Sequence, residues 1–267
     1  ERSGTGSYAR YHQRVSGRPE VLGELPAAEL ASEIITKGDG QIGALLTIAA
    51  NPVLSAPGGK QIDLAFKSLE LMVSIDMYIN ETSRPADYIL PPCGPLEKDH
   101  YPLFFAPLAI RNYVDYSPAL FEKKENSLSD WEIMADLTDA LLREGGNLTP
   151  TPRVSPPELL DQFLRSSKHG INLAQLKANN NGYDLGPLNP RLPERLKTED
   201  KLIHCAPDII LKDLRVFEEA FKLPKASGFN LIGRRHVRSN NSWLHNSKRL
   251  IKGPNRCTLM INPKDAA

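Results

Sequence analysis

The clearest pattern of apolar and polar positions lies in residues 42–76, IGALLTIAANPVLSAPGGKQIDLAFKSLELMVSID. Residues 42–50 form an apolar run short enough to be a buried strand. A loop of turn formers follows: Asn51, Pro52, Ser55, Pro57, Gly58 and Gly59. Ile62, Leu64, Ala65, Phe66 and Leu69 then recur at helical spacing, the mark of an amphipathic helix. A second apolar run, 71–75, ends on the carboxylate of Asp76. Strand, loop, helix and strand make a βαβ unit, which predicts parallel strands joined by a right-handed crossover. Ligands collect beyond the carboxyl ends of such strands. Asn51 and Asp76 both fall there, and both are expected to open onto one crevice.

Around this unit the pattern predicts further elements. Residues 1–25 are polar and glycine-containing and read as an irregular lead-in. A helix over about 25–36, opened by Pro26, ends at Gly38. Residues 86–90 form a short third strand closed by Pro91 and Pro92, with a turn of helix over 80–84 before it. The aromatics of 93–125 are expected in loops packed against the sheet. Ser129 and Glu132 have capping-box spacing at the start of a helix whose apolar stripe is Trp131, Met134, Leu137, Leu141 and Leu142. Helices are also predicted over 156–166 and 211–221, the latter stopped by Pro224, and an exposed loop over 179–193. Two strands are predicted over 229–232 and 257–261. The fold class is α/β: a Rossmann-like parallel sheet with flanking helices, a helical segment, and the start of a C-terminal β domain, with boundaries at 1–125, 126–226 and 227–267.

Composition narrows the function. There are 33 basic and 32 acidic residues, a formal net charge of +1, so overall charge gives no support to a nucleic-acid partner. No run of about 18 apolar residues is present to span a membrane. Cys93, Cys205 and Cys257 are far apart, with no CxxC pair for a metal or cluster. The six histidines show no metal-binding spacing, and none is assigned to metal. No Ser/His/Asp constellation can be read from spacing. The chain opens at Glu1 without methionine and closes on INPKDAA, and both ends read as interior to a longer protein.

Two stretches carry chemistry. In the first, the loop of 50–59 lacks the GxGxxG fingerprint. It is either an ordinary βα turn or a place where Asn51, Ser55 and the backbone N–H groups of Gly58 and Gly59 approach a diphosphate. Asp76 either caps the turn after it or accepts paired hydrogen bonds, from ribose hydroxyls or from the N1–H and 2-amino group of guanine. The second stretch is GRRHVRSNNSWLHNSKR, residues 233–249. It is either a solvated basic loop or a surface for phosphates and polar heterocycles.

At these stretches the chain resembles the molybdopterin oxidoreductases, the family of dimethyl sulfoxide reductase, formate dehydrogenases and nitrate reductases. ALLTIAANPVLSAPGG resembles the family's strand and G/A-N-P-x-x-S loop. LMVSIDMYINETSRPADYILPP resembles its strand-end Asp followed by E-T-x-x-x-A-D-x-x-L-P. PLEKDHY resembles the L-E-K/R element, and LIGRRHVRSNNSWLHN with MINPKDAA the opening of its C-terminal dinucleotide-binding domain. The order matches, over about a third of the chain. After LEKD, however, HYPLFFAPLAIRNYVDY departs from the family pattern and keeps only Arg111 of an Asn-x-Glu-Gly-Arg element.

The resemblance implies molybdenum or tungsten held by molybdopterin guanine dinucleotide. One guanine nucleotide would lie on Asn51, Pro52, Ser55 and Asp76. The C-terminal domain would close over the cofactor with Arg234, Arg235, Arg238, Ser239, Asn240, Asn241, Ser242, Trp243 and His245. It also implies that the metal's protein ligand and an iron–sulfur cluster lie in an N-terminal part outside this sequence, so that the stretch holds cofactor without catalysing alone. Its partners would be the rest of its own chain and an electron-transfer subunit, in the cytoplasm. The rival within the same resemblance is a cofactor-free relative serving as a structural subunit of an electron-transfer complex.

Overall fold

The computed structural model describes residues 7–146, 153–179, 181–223 and 228–266. The chain divides into two compact units, Glu1–Ile203 and His204–Ala267.

The first unit opens with an antiparallel hairpin of β1 (Tyr8–His12) and β2 (Pro19–Val21). This corrects the irregular lead-in. Its organiser is polar: the fully buried Glu20 carboxylate accepts from the Ser7 hydroxyl and from the backbone and guanidinium of Arg10, as well as from the Gly23 N–H. The Arg10 hydrogen bond leads in pulling its pKa down to about 2. Apolar periodicity carries no trace of such a pairing. A 3-10 turn, Ala27–Glu29, then leads into α1 (Leu30–Ile35).

The sheet follows. β3 (Ala44–Ile48), α2 (Pro52–Ser55), α3 (Gly59–Phe66), β4 (Leu71–Ile75) and β5 (Tyr88–Ile89) give three parallel strands in the order β3-β4-β5. The register runs from Ala44 opposite Leu71 to Ile48 opposite Ile75, so β3 and β4 end level. One face packs on α1 and α3, where Ala31, Ile34, Ile62, Ala65, Phe66 and Met72 form a core. Burial of a large apolar side chain is worth about 1.5–3 kcal/mol, so this cluster fixes the helices on the sheet. The alternate residues of β3 point away from that core, leaving Leu46 41% and Ile48 45% exposed.

A second core lies beyond the sheet. β6 (Tyr113–Val114), α4 (Asp130–Glu144), α5 (Pro156–Ser166), α6 (Leu173–Lys177) and β7 (Tyr183–Asp184) follow in the chain, and β6 pairs antiparallel with β7. Val114, Tyr116, Leu164, Ile171 and Leu176 pack together, with Tyr101 against them. The aromatic stretch was expected on the sheet. Tyr101 and Tyr116 instead pack with α5 and α6, while Phe104 and Phe105 are exposed. The loop expected over 179–193 supplies β7, and the Tyr113 ring of β6 lies directly over Gly182, where any Cβ would clash. On α4, Trp131, Met134, Leu137 and Leu142 of the predicted stripe are half-buried, Ile133 beside them is buried, and Leu141 is exposed.

In the second unit, α7 (Asp208–Lys222) spans the predicted helix and α8 (Pro263–Ala266) ends the described chain; the Pro224 stop lies outside the described residues. Neither 229–232 nor 257–261 forms a strand. A two-stranded ribbon needs a third strand or a helix to bury its apolar side chains. Phe229, Leu231, Ile232, Leu259 and Met260 are all exposed, so these runs have no such cover.

Candidate functional site

Asn51 lies just past the carboxyl end of β3, where Ala49 takes a left-handed φ of 47° to turn the chain out of the strand. Pro52 then occupies the first position of α2, where its missing N–H costs nothing. The Asn51 carbonyl accepts from the Leu54 and Ser55 N–H groups at 3.1 and 2.9 Å, and from the Ser55 hydroxyl at 2.9 Å. The Ser55 side chain is therefore turned back onto its own loop. Gly58, at φ 76° and ψ 33°, redirects the chain into α3, whose N-terminus carries no side-chain cap. At Gly59 an added Cβ would sit 2.1 Å from the Val53 carbonyl oxygen, so the close approach of α2 to α3 requires glycine there.

The Asn51 side chain is held from the other loop. Its Nδ2 donates to Glu81 Oε2 at 3.0 Å, and its Oδ1 accepts from the Thr82 hydroxyl at 2.8 Å. Thr82 is fully buried, and its hydroxyl oxygen also accepts from the Val53 N–H at 3.2 Å. The bond from Asn51 is the leading cause that draws the Glu81 pKa below the usual carboxylate range.

Asp76 lies just past β4. Its Oδ1 accepts from the Tyr78 N–H and its Oδ2 from Asn80 Nδ2, both at 2.9 Å. The Asn80 Oδ1 in turn accepts from the Thr82 and Ser83 N–H groups at 3.0 Å. The turn of 80–84 is thus gripped from both strand ends. The N–H groups of that turn are capped by Asn80; Asp76, which one sequence reading made the cap, instead caps the Tyr78 N–H and steadies the Asn80 side chain. An ionised carboxylate has about four acceptor positions and Asp76 uses two of them here, so capping and ligand contact are compatible.

The concavity beside these loops has a volume of about 880 Å³ and lies along α3. Val53, Gly59, Lys60, Phe66, Glu81 and Arg84 are among its lining residues; Asn51, Ser55 and Asp76 are not. The structure therefore brings Asn51 and Asp76 to one end of neighbouring strands and ties both to one turn, with the concavity along α3 a step to the side.

The other candidates sit in the second unit, Arg234 and Arg235 just before a run of turns over 237–246 and the rest within it. Asn240 and Asn241 have left-handed φ values of 42° and 60°, a backbone that asparagine tolerates better than most residues. Arg235 donates to Asn241 Oδ1 at 2.8 Å, and Ser239 Oγ lies 3.0 Å from His245 Nε2. Arg234 reaches the Arg256 carbonyl at 2.9 Å and the Thr258 hydroxyl at 3.2 Å, and also contacts the Met260 sulfur. Desolvation, then the charges of Arg256, Arg238 and Arg234, pull the His236 pKa down. Arg238, Ser242 and Trp243 make no side-chain hydrogen bond among the described residues, and Trp243 is 84% exposed.

Comparison with known proteins finds partial similarity to oxidoreductase subunits. Over 150 residues the chain is 31% identical to the assimilatory nitrate reductase catalytic subunit of Bacillus subtilis, covering 55% of this chain and 20% of that protein. Over 67 residues it is 36% identical to the F420-dependent formate dehydrogenase subunit alpha of Methanocaldococcus jannaschii and 31% identical to the F420-dependent formate dehydrogenase 1 subunit alpha of Methanococcus maripaludis, covering 25% of this chain and 10% of each relative.

The chain is related to the molybdopterin oxidoreductases.

It spans a fifth or less of the length of these curated relatives. No family model matches it. Among the described residues no cluster of three His, Cys, Asp or Glu side chains is arranged to hold a metal ion, and no helix is long and apolar enough to cross a membrane. In this molybdopterin oxidoreductase relative, sequence reasoning missed Asn80, Glu81 and Thr82 as organisers of the site. A signal was present: the ET of the matched motif falls just before the predicted third strand, within the turn that follows Asp76.

Proposed function

We propose that the α/β unit holds the guanine nucleotide end of a molybdopterin guanine dinucleotide in a molybdenum or tungsten oxidoreductase. The observation that carries this reading is the pairing of the two strand-end loops, which places Asn51 and Asp76 on one hydrogen-bonded turn beyond level parallel strands. The group fits the residues present. Asp76 retains acceptor capacity on both oxygens for guanine N1–H and the 2-amino group. The uncapped start of α3 after Gly58 offers N–H groups to an anion. The bound cofactor supplies the redox-active metal; this chain's residues bind and orient its nucleotide.

The wider assignment follows from the same relationship. Arg234, Arg235, Arg238, Ser239, Asn240, Asn241, Ser242, Trp243 and His245 serve the cofactor's phosphates and pterin. The exposed outer face of β3, with Leu46 and Ile48, marks a surface for the rest of the protein, since parallel sheets are normally covered on both faces. An iron–sulfur cluster, the metal's ligand and an electron-transfer subunit belong to that larger assembly, in the cytoplasm, and this stretch holds cofactor without turning over substrate.

A second reading is favoured by one observation: Asn51, Ser55 and Asp76 all have hydrogen-bond partners within the two strand-end loops themselves. A cofactor-free structural relative would use the same bonds for stability alone. Elemental analysis of the purified full-length protein, with assay of guanine nucleotide released by acid, separates the two. Molybdenum or tungsten together with guanine nucleotide is expected. Absence of both supports the structural relative.

A further inference from the structure

The polar groups around Asn51 have an arrangement that neither the strand-end rule nor the resemblance assigns. A primary amide offers two donor hydrogens and a carbonyl oxygen, and in a loop its two ends can exchange places. Here they are distinguished. Glu81, an acceptor, faces Nδ2, and the Thr82 hydroxyl faces Oδ1. Glu81 sets the orientation, since a carboxylate can only accept, and the Thr82 hydroxyl, whose oxygen already accepts from the Val53 N–H, gives its proton to Asn51 Oδ1. Thr82 is itself fixed through its backbone, whose N–H donates to Asn80 Oδ1, while Asn80 Nδ2 holds Asp76. A single path of hydrogen bonds therefore runs from Asp76 through Asn80 and Thr82 to Asn51 and Glu81.

We propose that Glu81 and Thr82 are positioning residues for the nucleotide subsite: they lock the Asn51 amide in one orientation, leaving one Nδ2 proton and one Oδ1 lone pair for ligand, and hold it in register with Asp76. The proposal rests on the nucleotide reading above. A phosphate or ribose oxygen then meets a donor that is already aimed, and binding does not have to order the side chain. Such preorganisation strengthens binding without a new contact. Neither residue touches the nucleotide in this scheme. Both act through Asn51.

Four variants test it: Thr82→Val, which keeps shape and removes the hydroxyl; Glu81→Ala, which removes the acceptor; and Thr82→Ser and Glu81→Gln, which restore a hydroxyl and an acceptor oxygen. The first readout involves no nucleotide. In proton–nitrogen spectra of the unliganded protein, the Asn51 side-chain amide signals are expected at dispersed positions, collapsing toward free-amide positions in Thr82→Val and Glu81→Ala and recovering in Thr82→Ser and Glu81→Gln. Signals that stay put in all four variants overturn the lock. The second readout is GDP affinity by calorimetry. Losing one aimed hydrogen bond to a charged group is expected to weaken binding about tenfold in Thr82→Val and Glu81→Ala, with recovery in the conservative pair. Spectral collapse with unchanged GDP affinity overturns the positioning role. Failure of the unsubstituted protein to bind GDP overturns the nucleotide reading instead, and the spectra still decide the lock. Should Thr82→Val not fold, Glu81→Ala with its Glu81→Gln rescue gives both readouts alone.

Discussion

The Thr82 hydroxyl donates to Asn51 Oδ1 at 2.8 Å, joining two side chains that stand 31 residues apart in the chain. The bond closes the βαβ unit at its carboxyl end, as the α1–α3 core closes its face. Thr82 is fully buried, so Thr82→Val would take from the half-buried Val53 N–H and Asn51 Oδ1 the partner they have in this structure. An unsatisfied buried polar group costs about 1–3 kcal/mol. Urea unfolding is expected to show a loss in that range for Thr82→Val and a smaller one for Thr82→Ser. Equal stability of Thr82→Val and the parent would contradict the described geometry.

Gly59 is a second point where the loop admits no change. The Val53 carbonyl oxygen lies 2.1 Å from where a Cβ would be. Gly59→Ala normally favours a helix by reducing unfolded-state entropy, yet here α2 and α3 must separate to admit the methyl group. Overpacking of this kind costs about 1–3 kcal/mol. A lowered midpoint in thermal unfolding is the expected outcome, and a raised one would show that the loop has room.

Glu132 gives a pH signature away from the site. Its carboxylate accepts from the Ser129 N–H and hydroxyl, each at 2.7 Å, and from Lys123. The Lys123 bond leads in lowering its pKa from 4.5 to about 2. A carboxylate whose folded pKa is depressed contributes stability that is present above its unfolded pKa and is lost as pH falls through the folded one. The stability difference between the parent and Glu132→Gln is therefore expected to be full above about pH 5 and to shrink toward pH 2. Unfolding measured at several pH values across that window checks it. A difference independent of pH would place Glu132 outside the cap.

Much of the sheet was legible because apolar residues carry it. The runs of 42–50 and 71–75 gave β3 and β4, the spacing of Ile62, Ala65 and Phe66 gave α3, and parallel strands then placed Asn51 and Asp76 at one end. The contacts of those two residues were not legible. Asn51 meets Glu81 and Thr82 through polar side chains, which follow no period. The β1–β2 hairpin was hidden for the same reason, since its organiser is the buried Glu20. Residues 229–232 and 257–261 failed in the opposite way: they have the apolar composition of strands without a partner to pair with. Asn240 and Asn241 carried a turn signal in their left-handed tolerance that a reading for phosphate chemistry passed over.

The basic loop yields a contrast between two arginines. Arg234 is tied to the Arg256 carbonyl and to Thr258, whereas the Arg238 guanidinium makes no hydrogen bond among the described residues. Arg238→Ala in the full-length protein is expected to lower molybdenum or tungsten content without changing the unfolding midpoint, while Arg234→Ala is expected to lower both. Unchanged metal content in Arg238→Ala would remove that residue from the cofactor surface.

In the proposed function Asp76 reads guanine. Guanine presents two adjacent donors to a carboxylate, whereas adenine places an acceptor, N1, against it. Two hydrogen bonds to a charged group, at about 1.5–3 kcal/mol each, are worth a hundredfold or more in affinity. Isothermal titration of the protein and of Asp76→Asn with GDP and with ADP tests this directly. GDP is expected to bind the parent at least about a hundredfold tighter than ADP, and Asp76→Asn to abolish most of that preference. Equal affinity of the parent for the two nucleotides, with Asp76→Asn lowering only stability by the roughly 1 kcal/mol of a lost turn cap, would contradict it.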